Sequence, residues 1–157
     1  MSFVTTSEAK LHLRVDSADE DALIGVYIAA AEQSAIALLD RGVYADGTAL
    51  GVARAAAPAE LTAATVTYTA AIAAAQALTD ATEQAAATQA AEYAYLRAQV
   101  AYRQTMDGMV VNDVIKSAVL LIVGHLYAHR EDVVAGVSVA KLPNGAEWLL
   151  APYKVYA

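Results

Sequence analysis

Between Asn112 and Glu131 the apolar residues keep a helical period. Ile115, Val119, Ile122, Val123 and Leu126 fall at i, i+4, i+7, i+8 and i+11, one stripe of a helix. Leu120, Leu121 and Tyr127 widen the stripe, which predicts a central core helix covered on more than one side. Asn112 is placed to cap it, with Asp113 at the positive end of the dipole and His129 and Arg130 at the negative end.

Toward the N-terminus the pattern predicts two more helices. Thr5 or Thr6 can cap a short one from about Ser7 to Leu13, and Glu8 stands three residues after Thr5 as in a capping box. The acidic turn Asp16 to Asp21 follows, and Ser17 or Asp19 is the expected cap of a helix from about Asp19 to Leu39. That helix carries two apolar faces. Leu23, Val26, Tyr27, Ala30, Ala37 and Leu38 share one, and Ile24, Ile28, Ala31 and Ala35 the other, so two packing partners are expected.

The stretch from Arg41 to Val111 is different in texture. Glycines at 42, 47 and 51 and Pro58 make its first part read as a turn-rich connector, with a tight turn at Asp46-Gly47. From Ala59 to Met106 the spacing is helical, with Leu61, Tyr68, Ile72 and Ala75 on one stripe and Tyr93, Leu96 and Val100 on another. A break near Thr79 to Thr82, with Asp80 as cap, predicts two antiparallel helices. A single long helix through the low-complexity tract at 79–91, or partial disorder of that tract, is the alternative.

Composition sharpens this picture toward an all-α fold. The chain has 157 residues, 58% hydrophobic but only 7% aromatic, and much of the apolar share is alanine, the best helix former. With no cysteine, disulfides and thiolate metal sites are excluded. The N-terminus lacks a charged region followed by an apolar run, and Ala118 to Gly124 is far shorter than the roughly 20 residues needed to span a bilayer. No membrane partner is expected. Lys and Arg number 10 against 17 Asp and Glu, a net charge of −7, which argues against tight binding to phosphates. It is compatible with a surface that DNA slides past.

Candidate chemistry is sparse. His125 and His129 have the spacing of half a zinc site, but residue 126 is Leu where zinc proteases carry Glu, and His12 lies far away in sequence. The alternating carboxylates of the acidic turn lack the glycine and distal glutamate of a calcium loop. No phosphate loop, nucleophile elbow or paired carboxylates occur, so no catalytic residue, metal or cofactor is expected. Trp148, Tyr153 and Tyr156 are more informative, because aromatic residues anchor protein interfaces; Trp148 could equally cap the core.

Three blocks together resemble the head–tail connector (adaptor) proteins of long-tailed bacteriophages. The first holds Lys10, Leu13, Arg14, Val15 and Asp16, then Asp21, Leu23, Ile24, Ala30 and Ala31. Lys116, Ala118, Leu120, Leu121, His125, Tyr127, Arg130 and Glu131 form the second. The third is the closing run Leu142, Pro143, Gly145, Leu149, Leu150, Ala151, Pro152 and Tyr153. A compact member would pass from the second helix to the central one through a short loop, so 41–111 reads as an insertion. The resemblance implies a single domain over 1–157: a small helical bundle with a long central helix, an inserted αα-hairpin and an extended C-terminal arm at about 141–157.

It further implies a virion protein of the neck, made in the host cytoplasm. Its copies would form a homo-oligomeric ring, typically a dodecamer, that docks on the portal protein, extends the DNA channel and offers a platform to tail-proximal neck or tail proteins. Double-stranded DNA would pass through the lumen without specific binding. The expected interface residues, toward portal or neighbouring subunit, are Trp148, Leu149, Leu150, Pro152, Tyr153, Tyr156, Arg130 and Glu131. A non-viral helical oligomeric interaction protein is the alternative reading, and an enzyme is disfavoured.

Overall fold

The structure, a computed structural model, describes residues 2–129 and 145–156. In chain order the elements are α1 (Thr6–Leu13), α2 (Asp21–Leu39), β1 (Val43–Tyr44), α3 (Gly47–Gln76), α4 (Ala81–Met106), β2 (Met109–Val110), α5 (Asp113–Ala128) and α6 (Ala146–Leu150), closed by a 3-10 turn at Ala151–Tyr153. The chain divides into two compact units, one formed by residues 1–47 and 109–157, the other by 48–108.

The first unit is a small bundle centred on α5. Ile115, Ala118, Val119 and Val123 are buried, and α5 packs against α1, α2 and α6. Asn112 caps it as expected, its Oδ1 accepting from the Ile115 N–H at 2.9 Å. From α2 the buried face is Ile24, Ile28, Ala31, Ala35 and Leu39. The opposite face is open, with Val26, Ala30 and Ala37 exposed and Leu23, Tyr27 and Leu38 half-buried. By length and composition α2 could cross a bilayer. Here its buried face is the core of the bundle, and Glu32 is built into it.

The expected caps hold at α1 and fail at α2. Thr5 and Glu8 form the capping box, with Glu8 N–H on Thr5 Oγ1 at 3.2 Å and Thr5 N–H on Glu8 Oε2 at 2.7 Å. Helix α2 starts two residues late, behind Glu20, and no side chain caps it. Ser17 instead closes on Asp19, accepting its N–H at 3.2 Å and donating to its carboxylate at 2.7 Å. A local turn has won the hydrogen bonds that a cap needs.

One small sheet departs from the all-helical expectation. Strands β1 and β2 pair in parallel, Val43 with Met109 and Tyr44 with Val110. The pairing places the two roots of the 48–108 segment side by side. Gly42 leaves room there for the Tyr44 ring, which a β-carbon at 2.7 Å would push aside.

The second unit is a hairpin of α3 and α4. Its turn falls as expected, with Asp80 Oδ1 accepting from Thr82 and Glu83 N–H at 2.8 and 2.9 Å. The turn-rich connector expected at 41–58 is largely absent, because α3 already begins at Gly47 and carries Pro58 inside it. The alanines flanking Pro58 keep helix propensity high enough to carry the chain through one missing backbone donor.

The seam of the hairpin keeps the expected stripe on α3, where Leu61, Tyr68, Ile72 and Ala75 are all protected, and departs from the expected stripe on α4. On α3 the protected positions include Leu50, Ala53, Ala57, Leu61, Ala64, Tyr68, Ala71 and Ala75, in steps of three or four, with Ile72 beside them. On α4 they are Gln84, Ala87, Ala91, Tyr95, Ala98 and Tyr102. The Tyr68 and Tyr95 rings stack with centroids 4.8 Å apart. Tyr93, Leu96 and Val100, expected to pack, are 59%, 52% and 43% exposed. Two apolar stripes run along α4, and spacing alone could not say which of them the partner helix takes.

Candidate interaction surfaces

The run Lys10 to Asp16 in the first block is a helix-ending device. Arg14 lies just past α1 in the left-handed region, at φ 60°. Its N–H donates to Leu11 O at 3.3 Å, and the Val15 N–H donates to Lys10 O at 3.0 Å, the paired bonds of a Schellman motif. Lys10 then reaches Asp21 at 2.7 Å, tying α1 to the first turn of α2. Lys116 of the second block meets Glu8 at 2.9 Å. The Thr5 backbone N–H, then the Lys116 ammonium, pull the Glu8 carboxyl down to about 2. Tyr127 donates its hydroxyl to Glu20. Among the described residues of these blocks, Lys10, Lys116 and Tyr127 tie helices to one another or to the turn before α2.

Glu32 is a device that the sequence pattern hid among the alanines of α2. It is 7% exposed, and its Oε1 accepts from Ser2 Oγ at 2.8 Å and from the Phe3 and Val4 N–H groups at 2.9 Å each. This carboxylate pins the N-terminal strand of chain, whose Phe3 and Val4 enter the core.

The C-terminal residues do not form the expected extended arm. Helix α6 packs on α5 and α2, and the Val155 N–H donates to Leu39 O at 3.0 Å. Leu150 is 1% exposed and belongs to the core, so it is unavailable as an interface side chain on this chain. Leu149 and Tyr153 are half-buried against the same core. Arg41 Nη1 donates to the Tyr153 carbonyl at 3.4 Å. Trp148 and Tyr156 project at 62% and 78% exposure, and Pro152 is exposed as well. The Lys154 ammonium sits 5.5 Å above the Tyr156 ring. Leucines at 149 and 150 read alike in sequence; the helical turn of α6 sends one to the edge and one to the core. Arg130, Glu131 and the 141–144 part of the arm lie outside the described residues.

Histidines 125 and 129 do meet, with ring centroids 4.8 Å apart. His12, remote in sequence, lies against α5, for a β-carbon on Gly124 would be 3.2 Å from its Nε2. Among the described residues no group of three His, Asp or Glu is placed to hold a metal ion.

Among the described residues, the polar side chains named above serve helix packing, and Trp148 and Tyr156 stand exposed. The sequence matches the phage gp6-like head–tail connector protein family over residues 4–89, more than half of its length, and the chain belongs to that family. The match covers the first block and α3 and ends before α5. No curated protein and no solved structure matches the chain.

Proposed function

We propose that this protein is the ring-forming head–tail connector of a long-tailed bacteriophage. The observation that carries the reading is the family match over residues 4–89, which includes the whole α1–α2 unit with its Schellman ending and acidic turn. Copies close into a ring, expected to be a dodecamer, in which heterologous contacts satisfy every subunit face. The ring docks beneath the portal, prolongs the DNA channel and receives the tail-proximal neck or tail proteins. Its place is the virion neck, after synthesis in the host cytoplasm.

Trp148, Pro152 and Tyr156, edged by Leu149 and Tyr153, are the proposed contact surface for portal or neighbouring subunit. Arg130 and Glu131 are assigned to the same role from outside the described residues. DNA passes without being held. The net charge of −7 is multiplied around a ring, so no affinity is expected under conditions where non-specific binders reach roughly 10⁻⁴ to 10⁻⁶ M.

The test is sedimentation of the purified protein with portal-bearing capsids, followed by electron microscopy of the pellet. Co-sedimentation and a ring at the portal vertex are expected. A W148A/Y156A chain should attach less with its helicity unchanged. Failure of the unaltered protein to attach would overturn the reading.

A further inference from the structure

The hairpin leaves large apolar side chains in solvent on both of its outer sides. On α4 they are Tyr93, Leu96 and Val100. On α3 they are Val52 and Val66, 67% and 66% exposed, spaced along a stripe whose other members, Ala56, Ala59, Ala63 and Ala70, are exposed too. Both stripes step by three and four, as the inner seam does. At about 100° per residue, the outer stripe lies about 150° from the seam on α3 and about 180° from it on α4. The two outer stripes therefore face away from each other. One is bulky and the other is built mostly of alanine, and such surfaces complement each other better than either complements itself.

Charge supports the same pairing. Glu60, the one carboxylate of α3, is exposed beside the α3 stripe, and Arg97 is exposed beside the α4 stripe. If α4 of one copy lies antiparallel to α3 of the next, both charges fall on the same side of the contact. In the hairpin's own register, where Tyr68 stands opposite Tyr95, they come within about one and a half turns of each other, in reach of a long Arg side chain.

We propose that successive copies of this chain associate head-to-tail through the hairpin, the Tyr93–Leu96–Val100 stripe of one copy seating on the Ala63–Val66–Ala70 part of the outer α3 stripe of the next. The contact is heterologous, the kind that closes rings, and it repeats between copies the α3–α4 packing found within each. The inference rests on the ring reading above and names a surface that holds the ring together.

The chain has no cysteine, which makes the test clean. In the V66C/L96C chain the two thiols are on opposite outer sides of one hairpin, beyond the roughly 7 Å Cα separation a disulfide bridges, so bonds form only between copies. Under mild oxidation this variant should give a ladder at two, three and more chain masses on a non-reducing gel. The V66C and L96C single variants should stay at one chain mass, all with unchanged helicity. Dimers from either single variant would overturn the proposal in favour of a symmetric contact. An unlinked V66C/L96C chain, with the unaltered protein sedimenting as an oligomer, would overturn the hairpin contact and leave the ring reading standing. An unlinked variant together with a monomeric unaltered protein, alone and on capsids, would overturn both.

Discussion

The bundle and the hairpin draw on the same alanine-rich alphabet and reach different degrees of closure. In the bundle, α5 has neighbours in α1, α2 and α6, so isoleucine, valine and leucine side chains are enclosed from several directions. In the hairpin each helix has one partner within the unit, and the buried apolar side chains are Ala57, Ala75 and Ala91. Several neighbouring helices enclose a large side chain more completely than one does. In the hairpin alanine lets the backbones approach, Tyr68 and Tyr95 stack half-buried in the seam, and Val52, Val66, Tyr93, Leu96 and Val100 are left outside. The bundle therefore closes a core of large side chains, and the hairpin leaves much of its large apolar surface uncovered.

Truncation separates the two regions most sharply. Leu150→Ala empties a site that is 1% exposed and should lower stability by about 2 to 5 kcal/mol in denaturant unfolding. Leu96→Ala, at a site 52% exposed, should stay within about 0.5 kcal/mol of the unaltered monomer. Equal losses at the two sites would abolish the distinction.

Polar ties should show the next largest effect. Glu32→Ala leaves the buried Phe3 and Val4 N–H groups without their acceptor and should cost about 1.5 to 3 kcal/mol, while Glu32→Gln, which keeps an acceptor oxygen, should cost less. Amide exchange at residues 3 and 4 reports the loss directly.

The Glu8 carboxyl gives the bundle a pH dependence. Its pKa in the folded chain is depressed to about 2 from 4.5, so its contribution is fully present above about 4.5 and is lost as the pH falls toward about 2. The side chain is 40% exposed, and solvent screening keeps the effect modest. Thermal melts across that window should fall less steeply for Glu8→Gln than for the unaltered chain. Identical slopes would remove Glu8 from the account.

Excising the hairpin should disturb the bundle least. Because Val43 and Met109 are paired strand neighbours, a short linker in place of residues 48–108 can join them. Loop shortening changes closure entropy by only about 0.6 kcal/mol per halving. The shortened chain should keep a cooperative melt, and loss of cooperativity would show that the bundle needs the hairpin.

By itself the sequence determined the features governed by local rules. The Thr5–Glu8 capping box, the Asn112 cap, the Asp80 turn between two helices and the core stripe of α5 all follow from spacing and side-chain chemistry within a few residues. It also carried enough of the family pattern at its N-terminus to place the chain among phage connectors. What depended on partners distant in the chain stayed hidden. Two equally apolar stripes on α4 could not be ranked until α3 took one of them. Glycines and Pro58 suggested turns that an alanine-rich helix runs straight through. Nothing in sequence joins Val43 to Met109, yet that pairing defines the root of the hairpin. Leu149 and Leu150 were indistinguishable until α6 folded onto α5, and nothing local in α2 marks Glu32 as the acceptor for the Phe3 and Val4 N–H groups. Periodicity states which residues of a helix lie together; only packing decides which side of that helix is inside.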